Sequence, residues 1–167
     1  MSYSSRFSLA DDFVSDIDSF ARSHADPLAK QRLAGFLSVS AVTCYELAIK
    51  EIFFEFSRKK HAVFGCFVED QFSRMNGRIK ISEIKAKAGK FGGKYKERFT
   101  RLLAKEERES LRSGCGSVES AYSNLIIWRH TFTHDGAIHS LRTYEETVES
   151  YNKGKVIIEC LAKAMTR

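Results

Sequence analysis

Three residues close together in the sequence, Arg129, His130 and His134, have side chains suited to chemistry on a phosphodiester. Cleavage of RNA by its own 2′-hydroxyl needs a base for that proton, an acid for the leaving 5′-oxygen and a cation for the charged phosphorane. Histidine, with an ordinary pKa of about 6.5, can act as base or acid near neutral pH. Arginine stays charged and binds phosphate oxygens in pairs. The three residues together therefore suit RNA cleavage.

The sequence around Arg129 predicts a helix with one apolar stripe. The members of that stripe recur at steps of four and three residues, namely Val118, Tyr122, Leu125, Arg129 and Phe132. An arginine on a core-facing stripe must find a partner or face a cleft, because burying its charge alone is prohibitive. His130 and His134 lie one turn apart, and Asp135-Gly136 is expected to end the helix beside His134. We expect the three side chains to converge on one cleft edge.

The segment from Arg129 to His134 resembles the signature of the HEPN superfamily. That signature is an arginine, four to six residues and then a histidine, on a late helix of an α-helical bundle, often with Asn, Asp or His after the arginine. Here the spacing is four and the second residue is His130. The preceding apolar run, Leu125 to Trp128, and the following Asp135-Gly136 are similar to HEPN nucleases of prokaryotic defence and toxin systems, in particular the RiboL-PSP-associated branch.

This resemblance implies a metal-independent endoribonuclease that needs no cofactor and works as a toxin or anti-phage effector. Arg129 would hold the phosphate, His134 would transfer the proton, and His130 would orient or support them. The resemblance also implies a homodimer in which two motifs form one composite site. An antitoxin or another operon-encoded protein is a possible partner, and Trp128, expected to be exposed, is a candidate anchor of the dimer interface.

Glu46 is the second residue with a candidate role, because it is the only charge between Leu33 and Ile49. A carboxylate in so apolar a stretch usually has a fixed partner. One interpretation is that Glu46 pairs with Arg129 or His130 and supports the site. The other is an ion pair with a lysine or arginine elsewhere, or partial exposure at a helix crossing.

The rest of the chain predicts an all-α bundle of five to seven helices in a single domain over residues 1–167. Asp26-Pro27 predicts the start of a long central second helix that ends near Lys60. Thr143 and Glu146 form a capping box that opens a last helix ending near Met165. A third helix over about 63–75, a short helix near 82–88 and an exposed helix over 94–112 are also expected.

The segment Arg74–Arg101 is strongly basic, with ten Lys and Arg residues against two Glu and a net charge of +8, in a chain whose net charge is +6. Its glycines predict a loop-rich insertion. A one-sided basic segment suits a polyanionic partner, so we expect RNA backbone to bind here, chiefly at Lys85, Lys87, Lys90 and Lys94. A merely solvated lysine-rich surface is the alternative. The spacing of Phe91, Tyr95 and Phe99 favours anchoring to the bundle over base stacking.

Composition indicates a cytoplasmic protein. The four cysteines are widely spaced, form no C-x-x-C pair and suggest reduced thiols. The N-terminus does not read as a signal peptide. The apolar window Leu33–Ile49 carries polar residues and is shorter than a membrane span needs, so a buried core helix is favoured.

Two other functions fit parts of the pattern. A non-catalytic HEPN-like nucleotide-binding, RNA-binding or antitoxin-type module would share the fold, although an intact Arg129-to-His134 motif favours catalysis. His130 and His134 also have the spacing of metal-binding helices. However, Thr131 stands where such helices carry a catalytic glutamate, and only Asp135 or His139 could add a ligand. We therefore predict no metal site, and we expect His139 to be a solvated loop residue.

Overall fold

Seven α-helices make up almost all of the described chain, and those residues contain no strand. The computed structural model describes residues 2–23, 26–73, 75, 77, 79–135 and 143–166. After a short 3-10 turn at Ser2–Phe7, the helices are α1 (Ser8–Ser23), α2 (Pro27–Lys60), α3 (Ala62–Ser73), α4 (Ile81–Lys90), α5 (Gly93–Arg112), α6 (Val118–Asp135) and α7 (Tyr144–Met165). The predicted all-α bundle is confirmed.

Helix α2 is the central element, as predicted. Asp26 accepts a hydrogen bond from the backbone of Leu28 at 2.9 Å, and Pro27 occupies the first turn. The 3-10 turn, α1, α3, α6 and α7 all pack against α2. Length and composition alone would let α2 cross a membrane, but 56% of its most apolar window is buried inside the protein. That burial is what a core helix requires, because its apolar side chains are covered on several sides.

Hydrogen bonds from polar side chains set where α6 and α7 begin. Thr143 and Glu146 exchange hydrogen bonds at 3.0 and 3.1 Å and so form the predicted capping box of α7. Ser117 caps α6 by accepting from the backbone of Ser120 at 2.9 Å. Glu107 of α5 also accepts from the first backbone amides of α6, at 2.8 and 3.0 Å. These bonds set where the motif helix begins.

The helices predicted near 82–88 and over 94–112 are present as α4 and α5, but the loop-rich character predicted for the basic segment from its glycines is wrong for the described residues. Helices α4 and α5 are separated only by a tight turn at Phe91 and Gly92, and Gly92 has a φ of 133°. Phe91 stacks on Phe53 of α2, with ring centroids 5.2 Å apart. Tyr95 and Phe99 are buried. The aromatic spacing predicted this anchoring, which outweighs the loosening effect of the glycines. Arg74 and Arg78 lie outside the described residues.

A stack of tyrosines joins α2, α6 and α7. Tyr45 lies between Tyr122 and Tyr151, at centroid distances of 5.2 and 5.9 Å. Its hydroxyl donates to the backbone carbonyl of Tyr151 at 2.6 Å, and burial raises its pKa well above the ordinary range. A side chain at Gly154 would overlap that hydroxyl. The glycine at residue 154 therefore lets α7 pack closely against Tyr45 of α2.

We predict that Gly154→Ala destabilises the protein by roughly 1–3 kcal/mol, because the added methyl displaces a buried, hydrogen-bonded tyrosine. Gly89→Ala is the matched control. Gly89 also lies in a helix, but its nearest neighbours, at 3.5 Å or more, belong to the flexible Lys96 side chain. Alanine there should stabilise by about 0.5–1 kcal/mol. Thermal unfolding of both variants measures the difference, and equal stability of Gly154→Ala and wild type would contradict this packing.

Candidate active site on helix α6

Helix α6 presents Arg129 on one side and the two motif histidines, His130 and His134, on another. Arg129 is half-buried, whereas His130 and His134 are exposed. The two histidine rings lie against each other, with centroids 4.4 Å apart and an angle of 51° between their planes. The helix continues to Asp135, so His134 still has a helical direction about 140° from that of Arg129. The two histidines are brought together as expected, but the expected convergence with Arg129 is not seen within one chain.

The Arg129 side chain lies against the backbone of Gly77. Its Nη1 atom is 3.5 Å from the position that a Cβ atom would occupy on residue 77. Gly77 has a φ of 71°, a conformation that favours glycine, and its backbone N–H donates to Glu46 Oε2 at 2.8 Å. Among the described residues no carboxylate forms a direct ion pair with Arg129.

Glu46 pairs directly with Lys50, one turn further along α2, at 2.8 Å. Burial disfavours its charged form, but the hydrogen bonds from Lys50 and Gly77 and the nearby charges of Lys50 and Arg129 outweigh burial. They hold the Glu46 pKa below its ordinary value. Of the two interpretations of Glu46, the ion pair with another lysine is the one observed, and Arg129 acts on it only at longer range. Whether Glu46 supports catalysis stays a prediction.

Lys50, which the sequence analysis did not single out, is the second charged residue of this region on α2. Its side chain is only 15% exposed, and its Nζ also donates to the carbonyl of Ser73 at the end of α3, at 3.2 Å. The i,i+4 spacing of Glu46 and Lys50 on a helix was a signal that could have found it. Glu46, Lys50, Gly77 and Arg129 form one polar cluster, which we call the Arg129 cluster.

Apolar contacts fix the C-terminal half of α6 on α2. Phe132 fits where Gly35 has no side chain, and a methyl group there would overlap its ring. The same ring meets Phe36 edge to face at a centroid distance of 5.3 Å. Leu125, one turn before Arg129, is fully buried. Because Leu125 and Phe132 are fixed on either side of it, Arg129 is directed into the seam between α6 and α2.

Trp128 is buried, with only 5% of its surface exposed, so the expectation of an exposed interface anchor is wrong. The core-facing arc of α6 is wider than the predicted stripe and includes residue 128. The apolar residue left exposed is its neighbour Ile127, at 58%. Ile127 shares the solvent-facing side of α6 with His130 and His134.

The four lysines predicted to bind RNA do not form one group. Lys87 and Lys90 line a groove between α3 and α4. Lys85 lies on nearly the opposite side of α4 from Lys87, about 160° away around an ideal helix. Lys94 lies over the ring of Tyr95, 5.0 Å from its centroid. Their role in binding RNA stays a prediction.

Among the described residues, no group of three or more His, Cys, Asp or Glu side chains is arranged to hold a metal ion. His139, which the sequence analysis considered as a further ligand, lies outside the described residues, as does Gly136.

We predict that Glu46→Gln lowers the free energy of unfolding at pH 7 by roughly 1–3 kcal/mol, since hydrogen bonds to a charged carboxylate are lost. The Glu46 pKa is lower in the folded state than in the unfolded state. Its stabilisation is therefore fully present above the unfolded value, about 4.3, and is lost as the pH falls through the lowered folded value.

Urea unfolding at pH 7, 5 and 3 tests this, and the difference from wild type should shrink at pH 3. Glu109→Gln is the control, because Glu109 forms an exposed i,i+4 pair with Lys105 at 3.7 Å, and such pairs contribute little. A Glu46→Gln effect as small as that of Glu109→Gln would contradict the geometry.

Comparison with known proteins gave a match to one family. The RiboL-PSP-HEPN family matches residues 2–167. Searches of the curated proteins and of the solved structures found no match. HEPN membership suggests a nuclease or another RNA-related role. Because the match covers nearly the whole chain, the protein belongs to the RiboL-PSP-HEPN family.

Proposed function

We propose that this protein is a metal-independent endoribonuclease that needs no cofactor and cleaves RNA by attack of the 2′-hydroxyl. The observation that carries the proposal is the arrangement on α6, where Arg129 lies in a polar cluster with no direct carboxylate partner among the described residues and the rings of two histidines lie against each other on the adjacent face. In this proposal the enzyme acts in the cytoplasm as a toxin or anti-phage effector, restrained by an antitoxin or another operon-encoded partner.

The chemistry divides among these side chains. A neutral histidine takes the proton of the 2′-hydroxyl, and the 2′-oxygen attacks the adjacent phosphorus. Arg129 stabilises the charged phosphorane, as preorganised cations do. A protonated histidine gives its proton to the departing 5′-oxygen. The products are a 2′,3′-cyclic phosphate and a free 5′-hydroxyl. His134 is the assigned proton-transfer residue and His130, in contact with it, the orienting residue.

A homodimer would supply what one chain lacks. Arg129 and His134 point about 140° apart on one helix, so a second copy of α6 could bring a histidine to face the Arg129 cluster. A twofold axis beside α6 would place the two motifs together. The exposed Ile127, on the same face as both histidines, replaces Trp128 as the proposed interface anchor.

A non-catalytic RNA-binding or antitoxin-type module is the second candidate. The separation of Arg129 from His134 within one chain favours it, because a lone copy does not assemble base, acid and cation at one point. Binding of RNA without cleavage by the purified dimer would decide for this alternative.

We predict that His134→Ala lowers RNA cleavage by about 10²–10⁴-fold, the usual contribution of a general acid or base, while the helical fold persists. Arg129→Ala should lower it by about 10²–10³-fold, as loss of one group that stabilises the transition-state charge does. His130→Ala should have a smaller effect. His61→Ala is the control, because His61 is an exposed histidine at the end of α2. The assay incubates each protein with total RNA in EDTA and identifies the ends produced. Full activity of a folded His134→Ala protein would rule out the assignment.

We also predict that Ile127→Glu dissociates the dimer and lowers cleavage, because it puts a charge into an apolar contact. The side chain is 58% exposed in the single chain, so the fold should be kept. Leu111→Glu, at a similarly exposed apolar position on α5, is the control and should stay dimeric and active. Light scattering at micromolar concentration measures the state of assembly. A wild-type monomer that cuts RNA would refute the composite site.

A further inference from the structure

We propose that the groove between α3 and α4 binds nucleobases of the single-stranded RNA that is cut at α6. This inference rests on the proposed function for its substrate and adds a subsite that the catalytic residues do not include. Four phenylalanines and two lysines give the groove its character, and they are Phe64, Phe67, Phe72, Phe91, Lys87 and Lys90.

The groove already has the shape of a ligand site. Its volume is about 510 Å³, within the range of small-molecule pockets. Phe91 forms a fixed wall, since it stacks nearly parallel on Phe53 with 4° between the ring planes. Phe64 meets Phe91 edge to face at 6.0 Å. Phe67 is 61% exposed and leaves a ring surface open to solvent.

The combination of aromatic rings and lysines favours single-stranded RNA as the occupant. Proteins that bind single strands pair a positive groove for the backbone with aromatic rings on which bases stack. Here Lys87 and Lys90 stand on the α4 wall, and Glu83 is the acidic residue that also lines the groove. The surrounding segment 79–101 carries eight Lys and Arg residues against two Glu. A polyanion whose bases present flat apolar faces matches both properties.

The groove lies close to the Arg129 cluster along the chain. Met75 lines the groove, and Gly77, two residues later, borders Arg129. Two residues of chain span at most about 7 Å. Lys50, a member of the cluster, donates to the carbonyl of Ser73 at the end of α3, the helix that forms one wall of the groove. Phosphates recur about every 3.4 Å along a stacked strand, so a strand with a base in the groove can bring a phosphate two or three nucleotides away to Lys50 and Arg129.

A binding experiment with uncleavable RNA tests the subsite separately from catalysis. The probe is a fluorescent single-stranded octamer of 2′-O-methyl RNA, which has no free 2′-hydroxyl to attack, and the comparison is a ribose-phosphate octamer without bases. We expect Phe67→Ala to weaken binding of the first probe about 10-fold or more, as loss of one stacked base does, and to leave the abasic probe unaffected. Phe67→Trp should keep binding, and Phe20→Ala, an exposed phenylalanine on α1, should change nothing.

The lysines should behave differently from Phe67. Replacing Lys87 and Lys90 with Gln should weaken the binding of both probes. It should also make the slope of log affinity against log salt concentration shallower, by about 0.7 for each phosphate that is no longer neutralised. Unchanged affinity of Phe67→Ala for the base-containing probe would overturn the proposal, as would an equal loss for both probes. If Phe67→Ala keeps its affinity for RNA but no longer binds a protein partner, the groove is a protein-binding site and the proposal is likewise wrong. A protein that passes these tests but cuts no RNA would contradict the proposed function and leave the subsite standing.

Discussion

The candidate site depends on the hydrogen bonds that the Glu46 carboxylate accepts. This carboxylate stands on the central helix and accepts from Lys50 and from the backbone of Gly77, at 2.8 Å each. Through Lys50 it is linked to the end of α3, and through Gly77 it fixes the backbone that Arg129 contacts. A half-buried carboxylate must be hydrogen-bonded to stay charged. The positions of Gly77 and of the end of α3 are therefore tied to α2 by the electrostatic requirement of its carboxylate.

The charge balance of the Arg129 cluster explains how the fold tolerates two cations beside one half-buried carboxylate. Glu46 is neutralised mainly by Lys50, so one carboxylate is shared between two cations, and the cluster of Glu46, Lys50 and Arg129 keeps a net positive charge. A direct Glu46–Arg129 pair would have occupied the guanidinium. The longer-range attraction lowers the cost of placing Arg129 in the seam, and among the described residues no carboxylate pairs with its Nη atoms.

Much of the fold could be predicted from sequence because local chemistry determines where the helices begin and end. Asp26-Pro27 and the Thr143–Glu146 capping box act within a few residues, so α2 and α7 begin as expected. The stripe through Val118, Leu125 and Arg129 likewise predicted that Arg129 faces the seam. Periodicity is enough for such features, since a helix presents residues to its neighbours at a fixed angle.

Features that depend on contacts between distant elements could not be predicted in this way. Gly89 and Gly93 suggested a loop, but the rings of Phe91 and Tyr95 gain more by packing on α2 than the glycines lose in helix propensity. Trp128 looked exposed because the predicted stripe was narrower than the arc that α2 and α7 bury.

The placement of His130 and His134 connects these observations to function. Both side chains lie on the exposed face of α6 and contact each other, so neither belongs to the core packing that fixes the helix on α2. The buried side of α6 therefore holds Arg129 and the exposed side carries both histidines. In the proposed function, a second copy of the helix is the simplest structure that would bring the two sides together.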